Sequence, residues 1–527
     1  MADKQEFLRI GVDVGGTNTD AVLMHDGEVL ASIKSPTTAQ VSDGIVAAIA
    51  HVMKQAGISP DAVGIVSIGT THFTNAFVER RSLDRVGVLR IGLPAAKALP
   101  PLTDWPDDIA DEVAAGIEMV RGGFQFDGHP YADLDEMAVA AAARRFHKEG
   151  TNSVAISAVF APLNDVMEKR AGEIVRNEHP DSSITLSSDI GRIGLLEREN
   201  AGIMNASLAT LAMETVGGFR TALKKLGVTA PFYISQNDGT LMSADFVERH
   251  PILTFASGPT NSMRGGAHLA GLTDALVADI GGTTTDIGVL RGGFPRESSI
   301  MTDIGGVRTN FRMPDVCAIG LGGGSLVSVD GARVKVGPKS VGYRIMEKAL
   351  VFGGDVLTAT DIAVAAGYAD IGDRERVRHL DPAMVEAAVR EIHRLVEGGI
   401  DRMKTTGGDA PLILVGGGSV LINKPLRGVS EVHTHEEASV ANAIGASIAR
   451  VGGEVDKVFS YEGVGREATI AAAVSEANER AVAAGADAAS LETMEIEELP
   501  LAYMPGGSVR LRIKVAGDLN TAYGDAA

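Results

Sequence analysis

Asp13-Val-Gly-Gly-Thr-Asn-Thr-Asp20, near the start of the chain, returns as Asp279-Ile-Gly-Gly-Thr-Thr-Thr-Asp286 in its second half. The copies differ only at their second and sixth positions, and each runs into an apolar stretch, Ala21-Val-Leu-Met and Ile287-Gly-Val-Leu. Apolar segments on both sides of Gly-Gly predict a strand, a tight turn and a returning strand. Solenoid periods are roughly 20–50 residues, so a repeat this distant instead predicts two related lobes, each opening with a glycine-tipped hairpin.

Outward from the first copy, Leu8–Val14 reads as a buried strand, Asp43–Lys54 as a helix, and Gly64–Ile68 and Val86–Ile91 as strands. Leu134–His147 reads as an Ala-rich helix and Ser153–Phe160 as another strand. This alternation predicts an α/β architecture. A long amphipathic stretch from Gly194 to Leu226 suits one helix bridging the lobes. Past about residue 455, an Ala-rich helical run, Ala468–Ala486, and a strand-like Val509–Val515 resemble an α+β appendage.

The 527 residues exceed what one hydrophobic core sustains, so at least two domains are expected. With 48 basic against 68 acidic residues the net charge is −20, which argues against nonspecific binding to nucleic acid or an anionic membrane. One cysteine excludes a disulfide framework or a Cys-built zinc or iron–sulfur site within the chain. No apolar run is long enough for a membrane span and the start carries no signal core, so the expected location is the cytoplasm. Glycine is the unusual component: 63 residues of 527, where the average is about 7%.

The glycines cluster where phosphate chemistry would want them. A Gly-Gly-Thr turn lets backbone N–H groups and Thr hydroxyls converge, forming a nest that suits phosphate oxygens. Gly15, Gly16, Gly281 and Gly282 tip the hairpins, and each incoming strand ends in a carboxylate, Asp13 or Asp279, able to hold hydrated Mg²⁺ beside phosphates. Leu412-Ile-Leu-Val-Gly-Gly-Gly-Ser419 and Gly320-Leu-Gly-Gly-Gly-Ser325 add strand-to-glycine turns, bringing Gly416, Gly417, Gly418 and Ser419, and Gly322, Gly323 and Gly324, into a nucleotide clamp. A P-loop is absent, the nearest dinucleotide pattern (463–468) is incomplete, and no Gly-x-Ser-x-Gly elbow occurs.

The two hairpins and the late Val-Gly-Gly-Gly-Ser turn resemble the actin-like ATPase superfamily of sugar kinases, Hsp70 and actin. Within it, the order of motifs resembles the hydantoinase/oxoprolinase family, of the A-type, in its compact form. The matching segments include Gly69-Thr-Thr-His-Phe-Thr-Asn75, Leu196-Glu-Arg-Glu-Asn200, Ser257-Gly-Pro259, Val336-Gly-Pro338 and Thr360-Asp361. The resemblance implies a two-lobed actin-like (ribonuclease H-like) α/β fold: a first lobe over 1–192, a second with the interlobe helix over 193–455, and a small C-terminal α+β appendage over 456–527. It also implies an ATP- and Mg²⁺-dependent hydrolase opening a cyclic amide of the hydantoin, 5-oxoproline or lactam type, or service in a ketone carboxylase. A B-type hydantoinase subunit is the implied partner, and a homo-oligomer stays open. Phosphorylating the amide oxygen turns a poor electrophile into an activated carbon, chemistry that needs mainly positioning and charge neutralisation.

On this reading Thr17, Thr19, Thr283 and Thr284 contact phosphate; Asp13 and Asp279 hold Mg²⁺ or orient water; Asp20 and Asp286 support the hairpins or the metal. Thr70, Thr71, His72 and Asn75 either bind the amide ring or cap the following helix. Glu197 and Arg198 either line the cleft with Asn200 or knit the interlobe helix. Cys317 reads as core ahead of a nucleophile, Trp105 as a loop plug, and His433 and His435 as solvated ahead of a metal pair. Two alternatives keep the ATP site: a small-molecule kinase, and an ATP-driven reactivase acting on a protein.

Overall fold

In the computed structural model both octapeptides fold as antiparallel hairpins in the same register: Asp13 lies opposite Asp20 and Val14 opposite Thr19, as Asp279 lies opposite Asp286 and Ile280 opposite Thr285. The turns close alike, Gly15 N–H donating to the Asn18 carbonyl and Gly281 N–H to that of Thr284, each at 2.9 Å. The structure describes residues 7–16, 18–36, 41–298, 301–330, 333–501 and 507–520; Thr17 lies outside them.

The chain packs into two compact units, interleaved along the sequence, whereas the sequence suggests consecutive spans. The first comprises Met1–Gly69, Ala256–Glu297 and Pro314–Ile448; the second comprises Thr70–Phe255, Ser298–Met313 and Ala449–Ala527.

In the first unit, strands Leu8–Val14, Asn18–His25 and Glu28–Pro36 form a meander beside Val63–Thr70. A second sheet sets Ala275–Ile280 between its hairpin partner Thr285–Arg291 and the parallel strand Ala410–Val415. That centre strand is apolar on both faces, as a strand covered on both sides must be. On one side Leu276, Ala278 and Ile280 pack against Ile392, Val396 and Ile400 of helix Pro382–Met403. On the other, Val277 meets Met263 and Ala267 of helix Ser257–Ala270.

Helices Ser257–Ala270 and Ala441–Ser447 approach through glycine. A Cβ on Gly265 would lie 1.9 Å from the Ala441 carbonyl oxygen, and one on Gly445 would lie 1.9 Å from that of Asn261. Any larger residue would push the helices apart, so part of the glycine excess serves helix packing and not turns.

In the second unit a parallel sheet, Ala114–Arg121, Val86–Leu93, Ser153–Ala158 and Ser183–Leu186, is flanked by helices Glu136–Lys148 and Val166–Glu178. The long helix expected over 194–226 is two helices, Leu195–Ser207 and Ala209–Lys225. Asp84 makes the break: its N–H donates to the Ser207 carbonyl at 2.7 Å, and its carboxylate accepts from Thr210 N–H at 2.8 Å. The break thus exchanges helical hydrogen bonds for equivalent ones, and amphipathic periodicity runs through it undisturbed. C-terminal strands Val451–Ser460, Ser508–Gly517 and Glu492–Pro500, with helix Arg466–Ala483, belong to a different sheet, joined to the short hairpin Phe232–Ser235 and Leu241–Ser243 through the parallel pairing of Val451 with Leu241.

Candidate active site

Three glycine clusters meet within the first unit. Gly323 N–H donates to the Gly281 carbonyl at 3.0 Å and Gly324 N–H to that of Gly282 at 2.7 Å. From the other side, Gly418 N–H donates to the Ile280 carbonyl at 2.7 Å. The parallel register of Asp279 with Val415 delivers the 416–418 turn to the second hairpin. Gly416 has φ +83°, and a Cβ there would stand 2.4 Å from Asp279 Oδ1. Ser325 Oγ accepts from Gly322 N–H at 2.8 Å, and Thr360 Oγ1 donates to the Gly323 carbonyl at 2.9 Å, fixing the 322–324 turn from below.

At the tips of these turns Gly16, Gly282, Thr283, Thr284 and Gly417 are exposed, and Gly15, Gly281, Gly416 and Ser419 are half-buried. Backbone amides and the hydroxyls of Thr283 and Thr284 are therefore within reach of a ligand. Thr19 is different: its side chain has no exposed surface, and its counterpart Thr285, also fully buried, donates its hydroxyl to the Leu321 carbonyl at 2.7 Å. A group with no accessible atom offers nothing to a phosphate, so Thr19 belongs to the hairpin's interior and not to a phosphate contact.

Behind the turns lie four carboxylates. Asn442 Nδ2 donates to Asp13 Oδ2 at 3.2 Å, and the Ser262 hydroxyl closely contacts both Asn442 Oδ1 and Asp279 Oδ2. Burial raises the pKa of Asp13 and of Asp279, opposed at Asp13 by Asn442 and at Asp279 by Ser262. Ser262 Oγ donates to Asp279 Oδ2 and Asn442 Nδ2 to Asp13 Oδ2, so each carboxylate accepts from a neutral donor. Burial and then the charge of Asp279 push Asp286 up to about 7. Burial likewise carries Asp20 to about 6 against the pull of Lys34, whose Nζ lies 2.5 Å from Asp20 Oδ2. No cationic side chain among the described residues pairs with Asp13, Asp279 or Asp286.

Asn442, Ser262, Asn261 and Lys34 escape the sequence reading. Their signal is a polar residue on an otherwise small, apolar helix face: Asn442 in Ala441-Asn-Ala-Ile-Gly-Ala-Ser447, and Asn261-Ser262 following the Ser-Gly-Pro motif.

The expected substrate residues belong to the second unit. His72 opens helix His72–Glu79 with its N–H on Thr70 Oγ1 at 3.1 Å, and burial lowers its imidazole pKa. Asn75 Nδ2 donates to Thr71 Oγ1 at 3.3 Å, a contact within the first turn of the helix. Glu197 is half-buried in the first turn of Leu195–Ser207. Arg198, with no exposed surface, is spent on Ser187 Oγ and the carbonyls of Arg192, Ile193 and Ala158 at 2.5–2.9 Å. It knits the helix to its surroundings and has no nitrogen left for a substrate. Trp105 Nε1 donates to Asn200 Oδ1 at 2.7 Å, plugging its loop. Cys317 sits half-buried opposite Ile287, against the apolar core. His435 Nδ1 accepts from Glu437 N–H at 3.1 Å.

Sequence profiles described as the hydantoinase/oxoprolinase N-terminal region and as hydantoinase/oxoprolinase match residues 9–179 and 198–373, together well over half of the chain. The chain belongs to the hydantoinase/oxoprolinase family. Among curated relatives, it is 28% identical to the gamma chain of acetophenone carboxylase from Aromatoleum aromaticum, over 74% of this chain and 57% of that one. It is also 28% identical to the alpha chain of caprolactamase from Pseudomonas jessenii, over 69% of this chain and 55% of that one. It thus spans little more than half the length of these curated relatives. The solved ATP-dependent caprolactamase of Pseudomonas jessenii superposes with a TM-score of 0.77, covering 97% of this chain and 88% of that one at 22% identity. A nucleotide-free acetone carboxylase gives 0.66, covering 98% and 88% at 17%. These likenesses establish the fold of this hydantoinase/oxoprolinase chain as α/β of the actin-like ATPase type.

Proposed function

We propose that this chain binds ATP on the turns around Gly281–Gly282 and uses it to open a cyclic amide by phosphorylating the amide oxygen. The observation that carries the reading is the convergence of three glycine turns on the second hairpin, where Thr283 and Thr284 are exposed and Asp279 is half-buried at the end of the incoming strand. Backbone N–H groups at Gly-rich tips bind phosphate oxygens without a basic patch, as a chain of net charge −20 requires. Asp13, buried, and Asp279, half-buried, neither in an ion pair with a described side chain, suit a hydrated Mg²⁺, which takes one or two carboxylates and keeps its remaining waters. Bound there, the ion would neutralise charge on the transferring phosphoryl group.

The Pγ–O bond to ADP breaks as the amide oxygen bonds to phosphorus; water adds to the activated carbon; the C–N bond breaks and nitrogen leaves as the protonated amine. A second water releases phosphate from the acyl phosphate, so ATP and two waters yield ADP, phosphate and a ring-opened amino acid. Thr283 and Thr284 orient the phosphoryl group, and Asp279, hydrogen-bonded through Ser262, is placed to accept a proton from water or substrate.

Because two carboxylase components stand among its relatives, a second reading keeps the ATP site and activates a ketone or bicarbonate in place of an amide. A B-type partner is part of either reading. ADP release should be assayed with hydantoins, 5-oxoproline and lactams, and separately with ketones plus bicarbonate, each with and without a B-type partner. Stimulation by cyclic amides upholds the first reading and stimulation by ketones the second. Failure of ATP with Mg²⁺ to bind or thermally stabilise the chain would remove both.

A further inference from the structure

The second unit holds a cleft of about 120 Å³, open on one side, that the reaction above leaves unused. That is room for about four waters at ~30 Å³ each, or for one short-chain organic molecule. Its walls come from the 188–192 loop, the 236–238 turn, Phe311 and Arg312, strand Val451–Ser460 and Arg480 of helix Arg466–Ala483.

Nearly all of its charges are already matched. Asp238 pairs with Lys514 at 2.8 Å, and Glu454 with Arg312 at 2.6 Å. Lys457 and Arg480 share Glu476 at 2.6 and 2.9 Å. Asp456 is held bidentately by Arg510, both contacts at 2.6 Å. Two groups remain. Arg192 reaches a carboxylate only through Nε, 3.2 Å from the already engaged Asp456, and its terminal nitrogens hydrogen-bond to no described residue. Asp189, on the same wall, makes neither an ion pair nor a side-chain hydrogen bond to a described residue. Arg192 and Asp189 do not pair with each other, although three residues apart.

A guanidinium with a free fork and a separate free carboxylate, with Phe246, Leu253 and Phe311 also lining the space, describe the complement of a zwitterion with a short apolar body. We propose that this cavity binds a small amino acid, its carboxylate on Arg192 and its ammonium on Asp189. A bidentate Arg–carboxylate pair is the strongest fit such a fork has. Burial, and then the nearby Arg312 guanidinium, lower the basicity of Arg192, a strain that an added anion relieves. Ring opening of a cyclic amide produces a molecule with these two charged ends, so the site suits the product of the proposed reaction; that link, unlike the cavity itself, rests on the proposed function.

The test is titration calorimetry on the full chain, without nucleotide, using 5-aminopentanoate, pentanoate and pentylamine. Saturable binding of 5-aminopentanoate is expected, with pentanoate and pentylamine each at least about tenfold weaker. Arg192→Met and Asp189→Asn should each weaken it by at least about tenfold, with Arg192→Lys retaining part of the affinity. Circular dichroism and unchanged ATP binding would show that the variants are folded. No saturable binding, undiminished binding in Arg192→Met, or equal affinity for pentanoate would each overturn the proposal. If 5-aminopentanoate binds as described while ATP does not, the amino-acid site stands and the nucleotide reading falls.

Discussion

Asp13 and Asp279, the aspartates that open the two copies of the repeat, are tied to each other through Asn442 and Ser262. Asn442 donates to Asp13 at 3.2 Å, and Ser262 bridges Asn442 to Asp279. Two carboxylates far apart in sequence, Asp13 buried and Asp279 half-buried, are thereby held in one hydrogen-bonded chain. The two bridging side chains come from helices brought together by Gly265 and Gly445.

Removing a bridge should therefore cost catalysis more than binding. Asn442→Ala and Ser262→Ala are expected to lower kcat of nucleotide turnover by about 10- to 100-fold, the usual effect of losing an outer support, with a much smaller change in KM. Ser262→Thr, which keeps the hydroxyl, should recover a good part. Steady-state ADP release across the variants checks this; equal losses in kcat and 1/KM would contradict it.

Asp279→Asn keeps the shape of the side chain and removes the ionisable group. Since burial already raises the Asp279 pKa, the neutral amide should leave the melting temperature unchanged or higher while turnover disappears. Thermal melts beside the ADP assay decide it; substantial residual turnover would refute the assigned role.

The glycine turns differ in what a methyl group would meet. Gly416→Ala combines φ +83° with a Cβ 2.4 Å from Asp279 Oδ1, so it should lose at least about 1–2 kcal/mol from backbone strain alone and abolish ATP binding. At Gly417 a Cβ meets nothing within 4 Å, and Gly417→Ala should leave stability nearly unchanged. Denaturant melts and nucleotide titration of the pair measure the contrast.

Acid should weaken the second unit through Asp238. Burial alone would raise its pKa, but Lys514 and the Thr240 bonds outweigh burial and lower it from 3.8 to about 2. A carboxylate with a depressed folded pKa stabilises the fold above its unfolded value, and this contribution is lost as pH falls through the folded one. Stability should thus fall by about 2 kcal/mol between roughly pH 4 and pH 2, and Lys514→Met should flatten that limb, as read from melts across the range.

Arg198→Met should act on the fold and not on substrate affinity. The buried guanidinium serves Ser187 and the carbonyls of Arg192, Ile193, Gly194 and Ala158, and its loss leaves them unpaired at a cost of about 3–5 kcal/mol. A clear fall in melting temperature with KM unchanged in the surviving enzyme is the expected pattern; a raised KM at unchanged stability would restore Arg198 to the substrate.

Local chemistry was plain in the residues. The paired octapeptides announced two hairpins in one register because Gly-Gly between apolar runs has few other ways to fold, and the turns at 322–324 and 416–418 were legible for the same reason. Thr19 reads from sequence as a phosphate contact because periodicity does not report depth, and a threonine one step along a hairpin strand faces the interior; for Arg198 the sequence leaves the cleft and the knitting of the helix both open, and the carbonyls it meets decide for the second. The break at Leu208 depends on Asp84, more than a hundred residues earlier, and no local pattern carries it.

By itself, then, the sequence determined the hairpins, the glycine turns, the α/β class and the family, all of which rest on short-range backbone preferences and the order of motifs. Tertiary structure alone decided that Gly323, Gly324 and Gly418 close onto the second hairpin, that Asn442 and Ser262 join Asp13 to Asp279, and that Arg192 and Asp189 stand unspent around a cavity. Those are meetings of side chains and carbonyls from distant segments. Only the packing of helices and strands around shared cores brings such groups within a hydrogen bond's reach.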